Sequence, residues 1–161
     1  MARQLQMAAQ FPPVTLLPAA ADSAGRTSVY ASLRNAQKAW VVAEVNQGAA
    51  NTVLLSLLQA QDSSGTNSKA VSNAVPIWLD ADTSVSDALV QQTSATTFTT
   101  SATTKDKLVV FEIEPEFALD VANGFNHLAI STGASSASNV TAAHLIAWNA
   151  IQSASPPTTI A

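Results

Sequence analysis

The chain has 161 residues, a formal net charge of −4, 47% apolar residues and only 11% charged ones, enough for one domain with a real core but only about half the usual charge of a soluble domain. Seven basic residues scattered from Arg3 to Lys107 make no patch able to displace counterions from a phosphate backbone, which argues against nucleic acid as a partner. Cysteine is absent, which excludes a disulfide framework and a thiolate metal centre.

Residues 1–26 read as an N-terminal arm. It carries Leu5, Met7, Phe11, Val14, Leu16 and Leu17, while Pro12, Pro13 and Pro18 rule out a long helix and remove donors that a central strand needs. The arm lacks the basic opening and unbroken apolar run of a secretory signal, and no stretch reaches the roughly 18 apolar residues of a membrane span. The expectation is a protein made in a cytoplasm, with no membrane partner. An arm this apolar is expected to lie along its own domain or along a neighbouring subunit. Its six large side chains, together with Ile160 in the C-terminal tail, are the candidate partner-binding residues.

Residues 27–149 read as the folded domain. Asp22 to Gly25 is a turn signal, and Arg26 to Leu33 alternates as a first strand with Val29, Ala31 and Leu33 on one side. The stretch Lys38 to Gln61 then predicts a hairpin. Ala39, Val41, Ala43 and Val45 alternate with Trp40, Val42 and Glu44, the segment Asn46 to Asn51 offers Gly and Asn for positive φ, and Thr52 to Ala60 returns with both faces apolar. Such a return strand suits the inner layer of a sandwich or a subunit contact.

Asp62 to Ser68 is a polar loop, and Val75 to Leu79 a short strand whose Pro76 predicts an edge or a first position. Ser86 to Gln91 fits one helical turn or a strand. Thr93 to Thr104 predicts a strand with an exposed face, and Lys107 to Glu114 alternates most regularly, with Val109, Phe111 and Ile113 opposite Glu112 and Glu114. Glu116 to Ala122 suits a short helical turn with Phe117 and Val121 at i and i+4; His127 to Thr132 and Val140 to Trp148 are the last strands, and residues 150–161, with Pro156 and Pro157, a second arm. About eight short strands and almost no helix predict an all-β fold: an antiparallel, jelly-roll-like β-sandwich with extended N- and C-terminal arms.

Little in this pattern points to chemistry. His127 and His144 have no ligand-like neighbours, and Asp80, Asp82 and Asp87 lack the glycine and glutamate of an EF-hand loop, so solvated acids are the simpler reading than calcium ligands. Glu112, Glu114 and Glu116 invite comparison with a glycosidase carboxylate pair, but aromatics to line a sugar cleft are few, and a solvated or salt-bridged strand face explains them more simply. No nucleophile elbow, phosphate loop or zinc-protease helix is present. Asn139-Val140-Thr141 matches a glycosylation acceptor, of little weight without a secretory signal. Trp40, Trp78 and Trp148 are expected to anchor the core, at least two of them, or an interface. No enzyme, cofactor or metal is expected.

Several phrases resemble a known family: Arg34 to Ala39, Asn46-Gln47-Gly48, Leu58 to Asp62, Ser68-Lys69-Ala70, Asn73 to Trp78, Val109 to Ile113 and Leu119 to Phe125, spread over residues 27–148. The chain is similar there to the capsid cement, or decoration, proteins of tailed bacteriophages, whose jelly-roll-like domain sits outside an HK97-type shell and staples neighbouring major capsid proteins. The resemblance implies a structural protein of the outer virion surface, with the major capsid protein and other copies of itself, as dimer or trimer, for partners. It brings no site residue with it. A carbohydrate-binding module of a phage fibre or surface protein, and a head-completion or tail protein, are the alternatives.

Overall fold

The computed structural model describes residues 11–149. In chain order the strands are β1 (Val14–Ala21), β2 (Arg26–Thr27), β3 (Ala31–Ser32), β4 (Ala36–Gln47), β5 (Leu54–Ala60), β6 (Lys69–Ala70), β7 (Val75–Asp80), β8 (Val90–Ala95), β9 (Thr97–Thr99), β10 (Asp106–Ile113), β11 (His127–Thr132) and β12 (Asn139–Asn149). A short helix, α1 (Pro115–Ala118), and a 3-10 turn at Val121–Asn123 follow β10. The first sheet has the order β1-β12-β4-β10-β7-β8, and the second β2-β11-β5-β6, with β3 also on β11 and β9 also on β5. All pairings are antiparallel. The fold is the all-β antiparallel sandwich that the strand pattern implied. From β4 onward the chain changes sheet at nearly every connection, in a jelly-roll-like manner.

The core follows from period-two alternation. Ala39, Val41, Ala43 and Val45 of β4 and Val109, Phe111 and Ile113 of β10 meet Leu55 and Leu57 of β5 and Leu128 and Ile130 of β11, all at most 1% exposed. Each of the larger side chains contributes about 1.5–3 kcal/mol on burial.

The hairpin expected over Lys38 to Gln61 does not form. β4 pairs with β10 and β12, whereas β5 pairs with β11, β6 and β9 in the facing sheet. The two strands do have matching apolar faces, but those faces meet across the core and not side by side, so residues 48–53 span the roughly 10 Å between sheets. Side chains hold this crossover. Gln47 Nε2 donates to Asn51 O at 2.9 Å and Ser101 O at 2.7 Å, while Gln47 Oε1 accepts from Thr100 Oγ1 and from the buried Lys107 Nζ, each at 2.9 Å. Burial among neutral acceptors lowers the Lys107 ammonium below the ordinary lysine value. Gly48 serves close approach, since a Cβ there would stand 2.5 Å from Ser138 O. Gly48→Ala is expected to cost about 1–3 kcal/mol in a urea melt, as the crossover is pushed off β12.

The N-terminal arm also ends earlier than expected. Val14–Ala21 is strand β1, paired with β12 along the sheet edge, and Pro18 is tolerated there because an edge strand needs fewer donors and the register shifts between Leu17 and Ala20. The first expected strand is likewise interrupted, as β2 and β3 on β11, and leaves Val29 47% exposed. β7 lies between β10 and β8 and not at an edge; its Pro76 sits at a register shift, outside the Ile77–Asp80 span paired with β10. The Thr-rich stretch divides: β8 edges the first sheet and β9 pairs in the second, so the chain changes sheet at Thr96. Phe117 and Val121 fall in separate elements and are 56% and 46% exposed, not packed as a helical pair.

Candidate interaction surface

The outer face of the first sheet is built by the same alternation that fills the core. Every residue between the inward ones of β4, β10 and β12 must point out. Cross-strand register then lines up Thr15, His144, Val42, Val110, Trp78 and Gln91 as one row crossing all six strands. Beside it run Ile146, Trp40 and Glu112, and next Trp148 and Lys38; on the other flank lie Ala142, Glu44, Leu108 and Asp80. All three tryptophans therefore stand on this face, Trp40 and Trp78 half-buried and Trp148 41% exposed. The expectation that at least two would fill the core fails on parity. Trp40 alternates with inward Ala39 and Val41, and Trp78 with inward Ile77; small alanines at 39, 43, 143 and 147 let the inner layer close without them.

The charges of the face are divided: a matched pair lies among the tryptophans, and Glu44 and Asp80 lie on the other flank. Lys38 and Glu112 form an ion pair towards its Phe117 end, and Trp78 Nε1 donates to Glu112 at 3.3 Å. The hydrogen bond from Lys38 holds the Glu112 carboxyl below its ordinary range against the opposing effect of burial, and the same bond raises the Lys38 ammonium. Both side chains are about a quarter exposed, so solvent screens much of the pair. Glu112 is thereby engaged as a salt-bridged strand residue.

Hollows lined by described residues border the face. One of about 590 Å³ is lined by Glu44, Asp80, Asp87, Leu89, Asp106 and Leu108, among others. Of the acids weighed as calcium ligands, Asp80 and Asp82 have protein partners. Asp80 accepts from Asp82 N at 3.1 Å, and Asp82 pairs with Lys105 at 2.7 Å, which keeps its carboxyl below the ordinary range. Among the described residues no group of three His, Cys, Asp or Glu side chains is placed to hold a metal ion. At the opposite end, hollows of about 470 and 310 Å³ flank the exposed Phe117 ring and share Glu114.

Of the partner-binding residues expected from the sequence, Phe11, Val14, Leu16 and Leu17 lie among the described residues. Leu5, Met7 and Ile160 lie outside the described residues. Phe11 is half-buried at the start of the described chain, Val14 packs against the core, and Leu16 and Leu17 are 2% and 3% exposed within it. Those two leucines therefore face inward in the single chain. Parity puts Trp40 and Val42 on the side of Lys38 and Glu44, and Val110 on the side of Glu112, but the side that faces the second sheet is decided by the fold.

His127 lies on the second sheet at 8% exposure, its Nδ1 without a hydrogen-bond partner among the described residues. Burial, then the Arg34 cation, lowers its pKa from the ordinary 6.5, against a smaller opposite effect of Asp62 and a backbone hydrogen bond at Gln61. A depressed imidazole pKa means that the unfolded chain binds the proton first. Stability from this group is thus present above about pH 6.5 and falls as the pH drops towards the folded value. Denaturant melts at pH 7.5 and 5.5 are expected to show this loss, and His127→Gln to reduce it; the carboxylates held low at Asp62, Asp82, Glu112 and Asp120 titrate at lower pH.

No family model, no curated protein and no solved structure matches this chain.

Proposed function

We propose that the protein is a structural virion component, a capsid cement or decoration protein that binds the outer surface of a phage head and staples neighbouring major capsid proteins. The observation that carries the reading is the outer face of the first sheet. It presents three tryptophans, Ile146, Val42 and Val110 around a self-neutralised Lys38 and Glu112 pair, and aromatic anchors around a matched pair of charges are what a desolvating protein contact uses. The phrase-level resemblance and the low overall charge support the same reading. Stapling needs contacts on two neighbours, each on the order of 1,600 Å² for a stable interface, and separating the neighbours then requires breaking both.

Electron microscopy of virions assembled with and without this chain tests the proposal. Density distributed over the shell, lost when the chain is omitted and weakened by Trp148→Ala, is the expected result. Density at a single vertex would identify a head-completion or tail protein and overturn it. Because aromatics displayed on a flat sheet also suit sugar stacking, the second reading is a carbohydrate-binding module, and a glycan-array screen of the isolated protein distinguishes the two.

A further inference from the structure

The two edges of the first sheet differ in how well they are closed. At β1, Pro18 has no N–H, the register shifts twice, and the Arg26 guanidinium donates to Pro18 O at 2.8 Å and to Ala20 O at 2.9 Å. Such features keep an edge from adding another strand. In the second sheet, β2, β3, β6 and β9 are two or three residues long, too short to template one. The strand β8 (Val90–Ala95) is the exception. It pairs with β7 on one side only, and neither a proline nor a charged residue occurs from Ala88 to Thr104. Its single register shift lies beyond Gln92, which leaves Val90, Gln91 and Gln92 in regular register with Leu79, Trp78 and Ile77. Beyond that ladder, the backbone of Val90 to Ala95 has one hydrogen bond among the described residues, from the Gln92 side chain to Val90 O.

An open, uncharged edge fits an added antiparallel strand, because half of its backbone N–H and C=O groups point away from β7. A second copy of β8 suits it. A dyad normal to the sheet gives both chains the same set of bonds. Set through Gln91, the middle of the regular run, it places Val90 of one copy opposite Gln92 of the other, and no charge meets a like charge across the join. Asp87 is the nearest charge in sequence, and the two copies of it fall on opposite sides of the dyad, about 26 Å apart in extended chain. That separation is well beyond the screening length of about 8 Å at physiological salt.

We propose that two copies of the chain pair β8 to β8, antiparallel about a dyad at Gln91, and so join their first sheets into one. The incoming strand covers part of Leu89 and Val90, which are 42% and 61% exposed in the single chain. The row Thr15, His144, Val42, Val110, Trp78 and Gln91 then runs on into the second copy. Because the dyad is normal to the sheet, both outer faces lie on the same side, with the two Trp78 residues three strand spacings apart, about 14 Å. The pair thus presents two tryptophan faces as one continuous surface. The pairing itself does not rest on what that surface binds.

Sedimentation equilibrium of the full chain is expected to show a monomer–dimer equilibrium. Gln91→Lys, at an exposed position, sets two like charges directly opposite each other and should weaken association on the order of tenfold. Gln91→Glu should do the same. An equimolar mixture of the two variants should recover the parent's association as a heterodimer, which variants that had lost their fold could not do. A monomeric or trimeric parent, an association indifferent to either charge, or no recovery on mixing would overturn the proposal; none of these results bears on whether the protein coats a shell.

Discussion

Leu16→Ala and Leu17→Ala are each expected to lower unfolding free energy by about 2–5 kcal/mol, measured by urea or thermal melts of the purified protein. Both side chains are nearly fully buried, at 2% and 3% exposure, in the core shared by the two sheets. Deleting either leaves a cavity lined by neighbours that are already paired on both sides, so little relaxation is available. A contact arm predicts the opposite: truncating a side chain that waits for a partner leaves the free protein's stability within about 0.5 kcal/mol. Melting curves unchanged by both substitutions would therefore place this segment off the core. The same logic limits truncation experiments, because removing residues 1–18 takes away more than half of β1 (Val14–Ala21) and confuses lost binding with lost folding.

Asp22→Ala is expected to cost roughly 3 kcal/mol, near the lower end for breaking a buried charge pair. The Asp22 carboxylate is fully buried; it accepts from Thr141 Oγ1 at 2.5 Å and pairs with Arg26 Nη2 at 3.1 Å. Arg26 in turn donates to Pro18 O, Ala20 O and Thr141 O at 2.7–2.9 Å. Those bonds tie β1, the turn after it and β12 into one corner. Because the Arg26 side chain keeps 21% of its surface in water, the uncompensated cation is partly solvated, which holds the loss below that of a fully enclosed pair. Asp22→Asn, which keeps one acceptor oxygen for Arg26 and offers an amide N–H that the Thr141 hydroxyl can accept, should lose clearly less. Equal melting points for the Ala variant and the parent chain would mean that this corner contributes nothing to stability.

The legible parts of the fold were those in which a local pattern has one tertiary solution. KLVVFEIE alternates cleanly, and β10 follows it with Val109, Phe111 and Ile113 fully buried. β12 was legible for the same reason. Partnership was not. Lys38 to Gln61 shows two apolar strands joined by a short polar link, and that pattern is the same whether the strands lie side by side or face each other across a core. What separates the cases is Gln47, whose amide closes onto Asn51 O and Ser101 O, and Ser101 is distant in sequence. Pro18 and Pro76 misled in a related way. A proline argues against a ladder position that needs its N–H, but an edge or a register shift removes that need, and neither is visible before the neighbours are known.

The outer face was half visible. Parity alone assigns Trp40, Val42, Glu44 and Lys38 to one side of β4, but it does not say which side faces the second sheet. Volume decides this. The inner layer is closed by Ala39, Ala43, Ala143 and Ala147 opposite Leu55, Leu57, Leu128 and Ile130, and the indole rings are left for the outside.

By itself, the sequence determined that this is a low-charge, cysteine-free, all-β domain, because composition and period-two alternation act residue by residue and need no partner to be read. Only the tertiary structure decided which strands pair, that Val14 to Ala21 belongs to the sheet, and that the tryptophans and Phe117 share the solvent side with a paired Lys38 and Glu112. Those outcomes depend on contacts between residues far apart in the chain, where the filling of one core settles the direction of every side chain at once.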